Sequence, residues 1–174
     1  HCLKTDRAAI EAALQDPATR IVSITVTEKG YGLDRATGGI AIDHPAIAHD
    51  LSHPAEPQGL AGLLVRALGQ RRAAGVPPFT VLSCDNLPDN GPVLRSLLID
   101  FCRHAAPELV DHITFDVAFP ATMVDRITPA PTLETLALAS RMTGHADEAA
   151  IETEGFHQWV IEDSFPTGRP KSRS

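Results

Sequence analysis

Along the chain, apolar residues switch between two spacings, and the switch marks helices and strands in alternation. Ala8, Ala9, Ala12, Ala13 and Leu14 recur at helical spacing behind Thr5 and Asp6, both suited to an N-cap, and Pro17 stops the run. Residues 20–27 (RIVSITVT) form a β-branched block bounded by Pro and Gly, the pattern of a buried strand. Leu60, Leu63, Leu64, Ala67 and Leu68 return to helical spacing, with Gly75 suited to the C-cap and Pro77-Pro78 forbidding continuation. Residues 79–83 (FTVLS) read as a second strand. Pro92 then opens a helix whose apolar positions are Leu94, Leu97, Leu98, Phe101 and Cys102. Residues 113–119 predict a third strand. Thr132 and Glu134 begin a helix through Leu136 and Leu138 that Gly144 ends, and residues 158–161 (QWVI) predict a last strand.

Residues 29–57 interrupt this alternation with Gly30, Gly32, Gly38, Gly39 and several Asp and His. They predict a long loop with at most a short hairpin and one helical turn around 46–51. Connections longer than about 12 to 15 residues are usually functional or flexible, so the length itself points weakly to a site. Helices alternating with apolar strands predict an α/β fold, a mostly parallel sheet with helices on both faces. A single domain over residues 1–170 is expected, followed by a tail at 171–174 without fold signal.

Composition narrows the function. With 174 residues, 43% hydrophobic and 21% charged, the chain is that of an ordinary globular domain. A net charge of -7 offers no positive field for a phosphate backbone, so nucleic acid is not an expected partner. Arg66, Arg71 and Arg72 fall near the end of a predicted helix and complement its negative terminus. Cys2, Cys84 and Cys102 are widely spaced without a CxxC pair, as expected of reduced thiols in a cytoplasmic protein. No run of about 18 apolar residues predicts a membrane span, and residues 1–11 lack the apolar stretch of a signal peptide. The chain opens at His1 and runs directly into a helical pattern, which suggests truncation.

In an open parallel sheet, ligands bind outside the carboxyl ends of the strands. The first predicted strand ends at Thr27-Glu28, the second runs into Cys84-Asp85-Asn86, and the third is followed by Asp125-Arg126. Asn86 offers two N–H donors for an oxyanion, Glu28 can relay a proton, and Asp125-Arg126 can orient a cofactor or brace a loop. The competing interpretation is structural, because Asx residues routinely cap turns after strands. Neither G-x-G-x-x-G nor G-x-x-x-x-G-K-[ST] occurs, so the backbone cradle for a pyrophosphate is not in these residues. His44, His49 and His53, with Asp43 and Asp50, include one i, i+4 pair (His49 and His53) and read better as a solvated loop than as a metal site. Cys84 has no Cys-His signature and reads as a small buried hydrophobe.

Three segments together resemble the long-chain mannitol dehydrogenase family of polyol and hexuronate enzymes: TVTEKGY at 25–31, FTVLSCDNLPDNG at 79–91 and VAFPATMVDRITP at 117–129. HDLSHP at 49–54 and FHQWVIED at 156–163 add to the likeness, while Ala121 and Gly155 depart from the Asn and Pro found in many members. The resemblance covers nearly the whole chain but only the middle of a family member about three times as long. It implies an incomplete Rossmann-like domain of an enzyme that uses NAD or NADP to oxidise a secondary alcohol at carbon 2 of a polyol or sugar acid. Asn86 looks like the family Asn that holds the reacting oxygen, and Glu28 like the Glu that moves the proton. Thr27, Asp125 and Arg126 are the candidate cofactor-side residues. The glycine-rich turn that holds the dinucleotide and the helical domain with the catalytic Lys lie outside the chain in this comparison. The alternative is a non-catalytic fragment or α/β binding remnant without turnover of its own.

Overall fold

The computed structural model describes residues 6–26 and 28–170, and of Glu28 and Lys29 the backbone. The N–H groups of Ala9 and Ile10 close on the Asp6 carbonyl to start helix α1 (Arg7–Gln15), which ends at Asp16-Pro17. Strands β1 (Ile21–Ile24) and β2 (Thr80–Ser83) pair in parallel, in a register running from Ile21↔Thr80 to Ile24↔Ser83. The crossover between them holds α2 (Glu28–Tyr31), α3 (Pro45–Ser52) and α4 (Leu60–Ala73). After β2 come α5 (Asn90–Ala105), a 3-10 turn (Pro107–Leu109) and α6 (Val110–Phe115). Strand β3 (Thr122–Asp125), helix α7 (Leu133–Thr143) and strand β4 (Gln158–Ile161) complete the order, β3 and β4 pairing in a second two-stranded sheet.

Two compact units divide the chain: Val124–Val160 form one, and the residues up to Met123 together with those from Ile161 onwards form the other. The core of the larger unit is built on β2, buried along its whole length, with Leu64 and Leu68 of α4 and Leu94, Leu97 and Leu98 of α5 almost fully enclosed. Each such side chain contributes about 1.5–3 kcal/mol when taken from water. Arg71 is enclosed in this core at 1% exposure. It donates to the carbonyls of Leu14, Asp16, Thr19 and Pro77 at 2.8–3.1 Å, with its guanidinium over the Phe79 ring. In the smaller unit, the Thr132 hydroxyl caps α7 by accepting from Thr135 N–H, and Gly144 closes it in the left-handed conformation.

Several elements differ from expectation. The predicted third strand over 113–119 is instead the end of α6 followed by irregular chain. Pro107 starts a turn that winds on into α6, Ile113 lies four residues after Leu109 in the core, and the Thr114 hydroxyl donates back to the Val110 carbonyl. Val117 and Phe119 are still buried and the Val81 N–H donates to the Ala118 carbonyl, so this stretch runs beside β2. Pro120, which has no N–H, then interrupts it before β3 begins at Thr122. Strand β1 is four residues rather than eight because the chain turns into α2 at Glu28. The 29–57 segment contains the expected hairpin contact, Leu33 with Ile40, but α3 runs for eight residues, not one turn. Helix α5 begins at Asn90, two residues before Pro92.

Candidate functional site

Because β1 and β2 are adjacent, parallel and in register, the chain leaves both at the same end of the sheet. The Cys84 N–H donates to the Ile24 carbonyl at 2.8 Å and extends the pairing one step past β2. From this edge the first strand leads to the helical turn begun by Glu28, and the second leads to the loop carrying Asn86. Thr27 lies outside the described residues. Asp125 closes β3 and Arg126 follows it, both exposed and both in the smaller unit.

Glycine holds α2 in place: a Cβ on Gly30 would collide with the Val26 side chain. The turn inserts Tyr31 into the core at 2% exposure, where its hydroxyl shares a 2.6 Å hydrogen bond with the Ser83 hydroxyl. Burial pushes the Tyr31 phenol upward, the Ser83 hydrogen bond opposes this in part, and the charges of Asp85 and Cys84 add to the rise. It is therefore a neutral hydroxyl at ordinary pH. Asp85 N–H donates to Ser83 Oγ at 3.4 Å, and Asp85 Oδ1 accepts from Asn86 N–H at 2.8 Å. Asp85 Oδ2 is buried without a hydrogen-bond partner. Asn86 itself is exposed. Burial likewise raises the neighbouring Cys84 thiol, against a hydrogen bond with the Ile24 backbone, which suits a half-buried inert thiol rather than a nucleophile.

Asn90 was not singled out from the sequence, yet it ties the whole edge together. At 1% exposure its Nδ2 donates to the carbonyls of Asp85 and Thr122, at 2.6 and 3.0 Å, and its Oδ1 accepts from Thr122 N–H at 2.9 Å. The Thr122 hydroxyl in turn donates to the Ser83 carbonyl. Gly91 allows this contact, since a Cβ there would strike the Phe119 carbonyl and the Pro120–Ala121 backbone. The available signal was register: Asn90 shares the stripe of Leu94, Leu97 and Phe101, so a helix started two residues earlier puts a polar side chain on the buried face.

The histidine-rich loop has a structural explanation. Asp50, fully buried, accepts from the N–H groups of Gln58 and Gly59 at 2.7 and 2.9 Å ahead of α4, and His49 Nδ1 lies 3.1 Å from its Oδ1. The rings of His49 and His53 stack at 4.8 Å. Among the described residues no group of three or more His, Cys, Asp or Glu is arranged to hold a metal ion, and no helix is long and apolar enough to cross a membrane.

A family model described as the mannitol dehydrogenase Rossmann domain matches residues 2–174. The chain is 48% identical to mannitol 2-dehydrogenase of Cereibacter sphaeroides, over 97% of this chain and 35% of the relative. To D-mannonate oxidoreductase of Escherichia coli it is 47% identical, over 91% of this chain and 32% of the relative. Among solved structures, Pseudomonas fluorescens mannitol 2-dehydrogenase, captured as a ternary complex with NAD and D-mannitol, superposes with a TM-score of 0.83 at 44% identity. That match covers 96% of this chain and 34% of the other. The chain therefore spans about a third of the length of the relatives it matches.

Proposed function

The chain belongs to the mannitol dehydrogenase family, a family of oxidoreductases, and from that premise we propose that it supplies part of the active site of an NAD(P)-dependent enzyme interconverting a secondary alcohol and a ketone at carbon 2 of a polyol or sugar acid. The mannitol/fructose and mannonate/fructuronate pairs are the candidate substrates. Residues 1–170 would form part of its N-terminal Rossmann-like domain, completed by the polypeptide that makes up the other two thirds of its relatives. The enzyme would act on a small molecule in the cytoplasm, a compartment that suits the free thiols of Cys84 and Cys102.

One observation carries this reading: the in-register parallel pair β1–β2 delivers the Glu28 turn and the Asn86 loop to one sheet edge. As the alcohol carbon becomes a carbonyl, its oxygen loses a proton and passes through a partly anionic state. The Asn86 carboxamide carries two N–H donors suited to stabilise that charge, and the residue is exposed. Glu28, at the start of the neighbouring turn, relays the released proton towards solvent. The base that takes the proton first is, by family resemblance, a Lys outside these residues.

One buried acceptor at this edge is suited to the nicotinamide end of a dinucleotide. Asp85 Oδ2, a buried acceptor without a partner, is matched to a carboxamide N–H2. Asp125, Arg126 and Thr27 are assigned to the cofactor side on resemblance alone. The dinucleotide, when bound, is the two-electron acceptor of the reaction.

The test exchanges this chain for the matching third of the Cereibacter sphaeroides enzyme and assays D-mannitol and D-mannonate with NAD and NADP. Turnover is expected. Asn86→Ala should slow single-turnover oxidation by about 10² to 10³ while leaving dinucleotide affinity unchanged. Asn86→Asp should be at least as harmful, since a carboxylate only accepts hydrogen bonds. An active Asp variant, or no turnover of either substrate by the exchanged enzyme, overturns the proposal.

A further inference from the structure

We infer that Tyr31 is a positioning residue whose hydroxyl, acting through Ser83, couples the turn that begins at Glu28 to the loop that carries Asn86. Tyr31 lies three residues after Glu28 in the same helical turn, and Ser83 is the last residue of β2. Both are buried, at 2% and 0% exposure, and their hydroxyls meet at 2.6 Å. From Ser83 Oγ the path continues through Asp85 N–H and then from Asp85 Oδ1 to Asn86 N–H. Three hydrogen bonds, through Tyr31, Ser83 and Asp85, thus connect the turn that Glu28 begins to the backbone of Asn86.

A core-filling role alone does not explain this arrangement. A phenol buried beside leucines costs stability unless its hydroxyl finds a partner, and phenylalanine would fill the same volume without that demand. The hydroxyl of Tyr31 meets a hydroxyl at the end of the very strand from which the Asn86 loop departs. Ser83 has one hydrogen and two lone pairs, so it can accept from Asp85 N–H and still donate to Tyr31. Its carbonyl is separately held by the Thr122 hydroxyl, which fixes the backbone and leaves the side chain to set the loop. At the other end of the linkage Gly30 lies so close to Val26 that a Cβ there would collide with its side chain. A rise in the phenol's titration range through burial keeps it neutral and able to act as donor or acceptor.

The coupling stands on the structure, and its catalytic consequence rests on the functional reading above, so two measurements separate them. The first is amide hydrogen exchange on the chain itself. Tyr31→Phe should speed exchange at Asp85 and Asn86 by about tenfold, the worth of one hydrogen bond, while Val81 and Leu82 are unchanged. Ser83→Ala should do the same, and the double variant should be no faster than either single one. The second is turnover in the exchanged enzyme. Each variant should lower kcat of the folded enzyme by about tenfold to a hundredfold at unchanged KM for the dinucleotide, as expected of a small displacement of a positioned group. Unchanged exchange at residues 84–87 in both variants overturns the coupling whatever the activity. Normal kcat per folded molecule with only a lowered melting temperature reduces Tyr31 to a structural residue. If the parent exchanged enzyme has no turnover, the functional reading fails and hydrogen exchange alone decides the coupling.

Discussion

Asn86 and Asn90 lie four residues apart in one motif, and the structure assigns them opposite consequences. Asn90→Ala removes a carboxamide that makes hydrogen bonds to the carbonyls of Asp85 and Thr122 and to the Thr122 N–H, all at 1% exposure. Three lost bonds at about 1 kcal/mol each, plus the desolvation of a buried Thr122 N–H left without a partner, give a loss of about 3–4 kcal/mol. For a chain of this length that corresponds to a melting temperature lower by about 10 °C. Asn90→Asp keeps the acceptor for Thr122 N–H but turns a carboxylate towards two carbonyl oxygens. The introduced carboxyl should titrate above its usual range, because only its protonated form can donate there. The sign follows: a raised folded-state value means the variant recovers stability below the unfolded value of about 3.9 and loses it as pH rises through the folded value. Urea unfolding of parent and both variants at pH 7.5 and 4.5 should show the Ala deficit constant and the Asp deficit shrinking in acid. Asn86→Ala, at an exposed loop position, should shift stability by no more than about 0.5 kcal/mol. An Asn90→Ala variant within 1 kcal/mol of the parent, or an Asn86→Ala variant more damaging than it, refutes this division.

Two further predictions concern the core. Arg71→Lys should cost about 2–4 kcal/mol and release protection of the α1 amides in hydrogen exchange, since a single ammonium cannot reach the four carbonyls that the guanidinium spans. Burial, with Glu108 adding to it, pushes the Cys102 thiol from its ordinary 9.0 up to about 12. Its neutral form is thus favoured by folding, so this contribution is full below pH 9, is lost as pH rises towards 12, and should be missing from the alkaline limb of Cys102→Ala. Cys102 should also resist thiol-directed reagents at pH 8 until the chain unfolds.

Much of the architecture could be read from periodicity, because α4, β2, α7 and β4 each present a stripe or block long enough to outweigh local noise. Two of the misses share a cause: a polar residue on a buried face. Asp50 breaks the stripe of α3 after Ile47, because the buried position is used to hold the backbone ahead of α4. Asn90 hides the first turn of α5 in the same way. The 113–119 block is apolar enough for a strand, yet Pro107 and the Leu109–Ile113 spacing wind its first part into α6. The strand-end rule applies to the segments carrying Glu28 and Asn86 because chains leaving parallel neighbours share an edge. Tyr31 and Ser83 were not legible there, since a hydroxyl pair spanning 52 positions leaves no local pattern.

Several residues that carry the family likeness have a structural role. Asp50 in HDLSHP organises the start of α4, Gly91 and Asn90 in the DNLPDNG stretch bring α5 against residues 119–122, and Tyr31 in TEKGY reaches Ser83. These contacts hold the strand-end edge to which Asn86 is assigned in the proposed function, and none of them is a group that would distinguish one alcohol from another. The chain is about equally identical, 48% and 47%, to relatives named for mannitol and for mannonate. A sugar acid differs from a polyol by one carboxylate, whose recognition requires a cation or several N–H donors at the far end of the substrate. Under the proposed function Asn86 is engaged at the reacting oxygen and Glu28 is a carboxylate, so neither supplies that recognition. Under the proposed function, the choice between polyol and acid is therefore expected to belong to residues that face the remainder of the substrate.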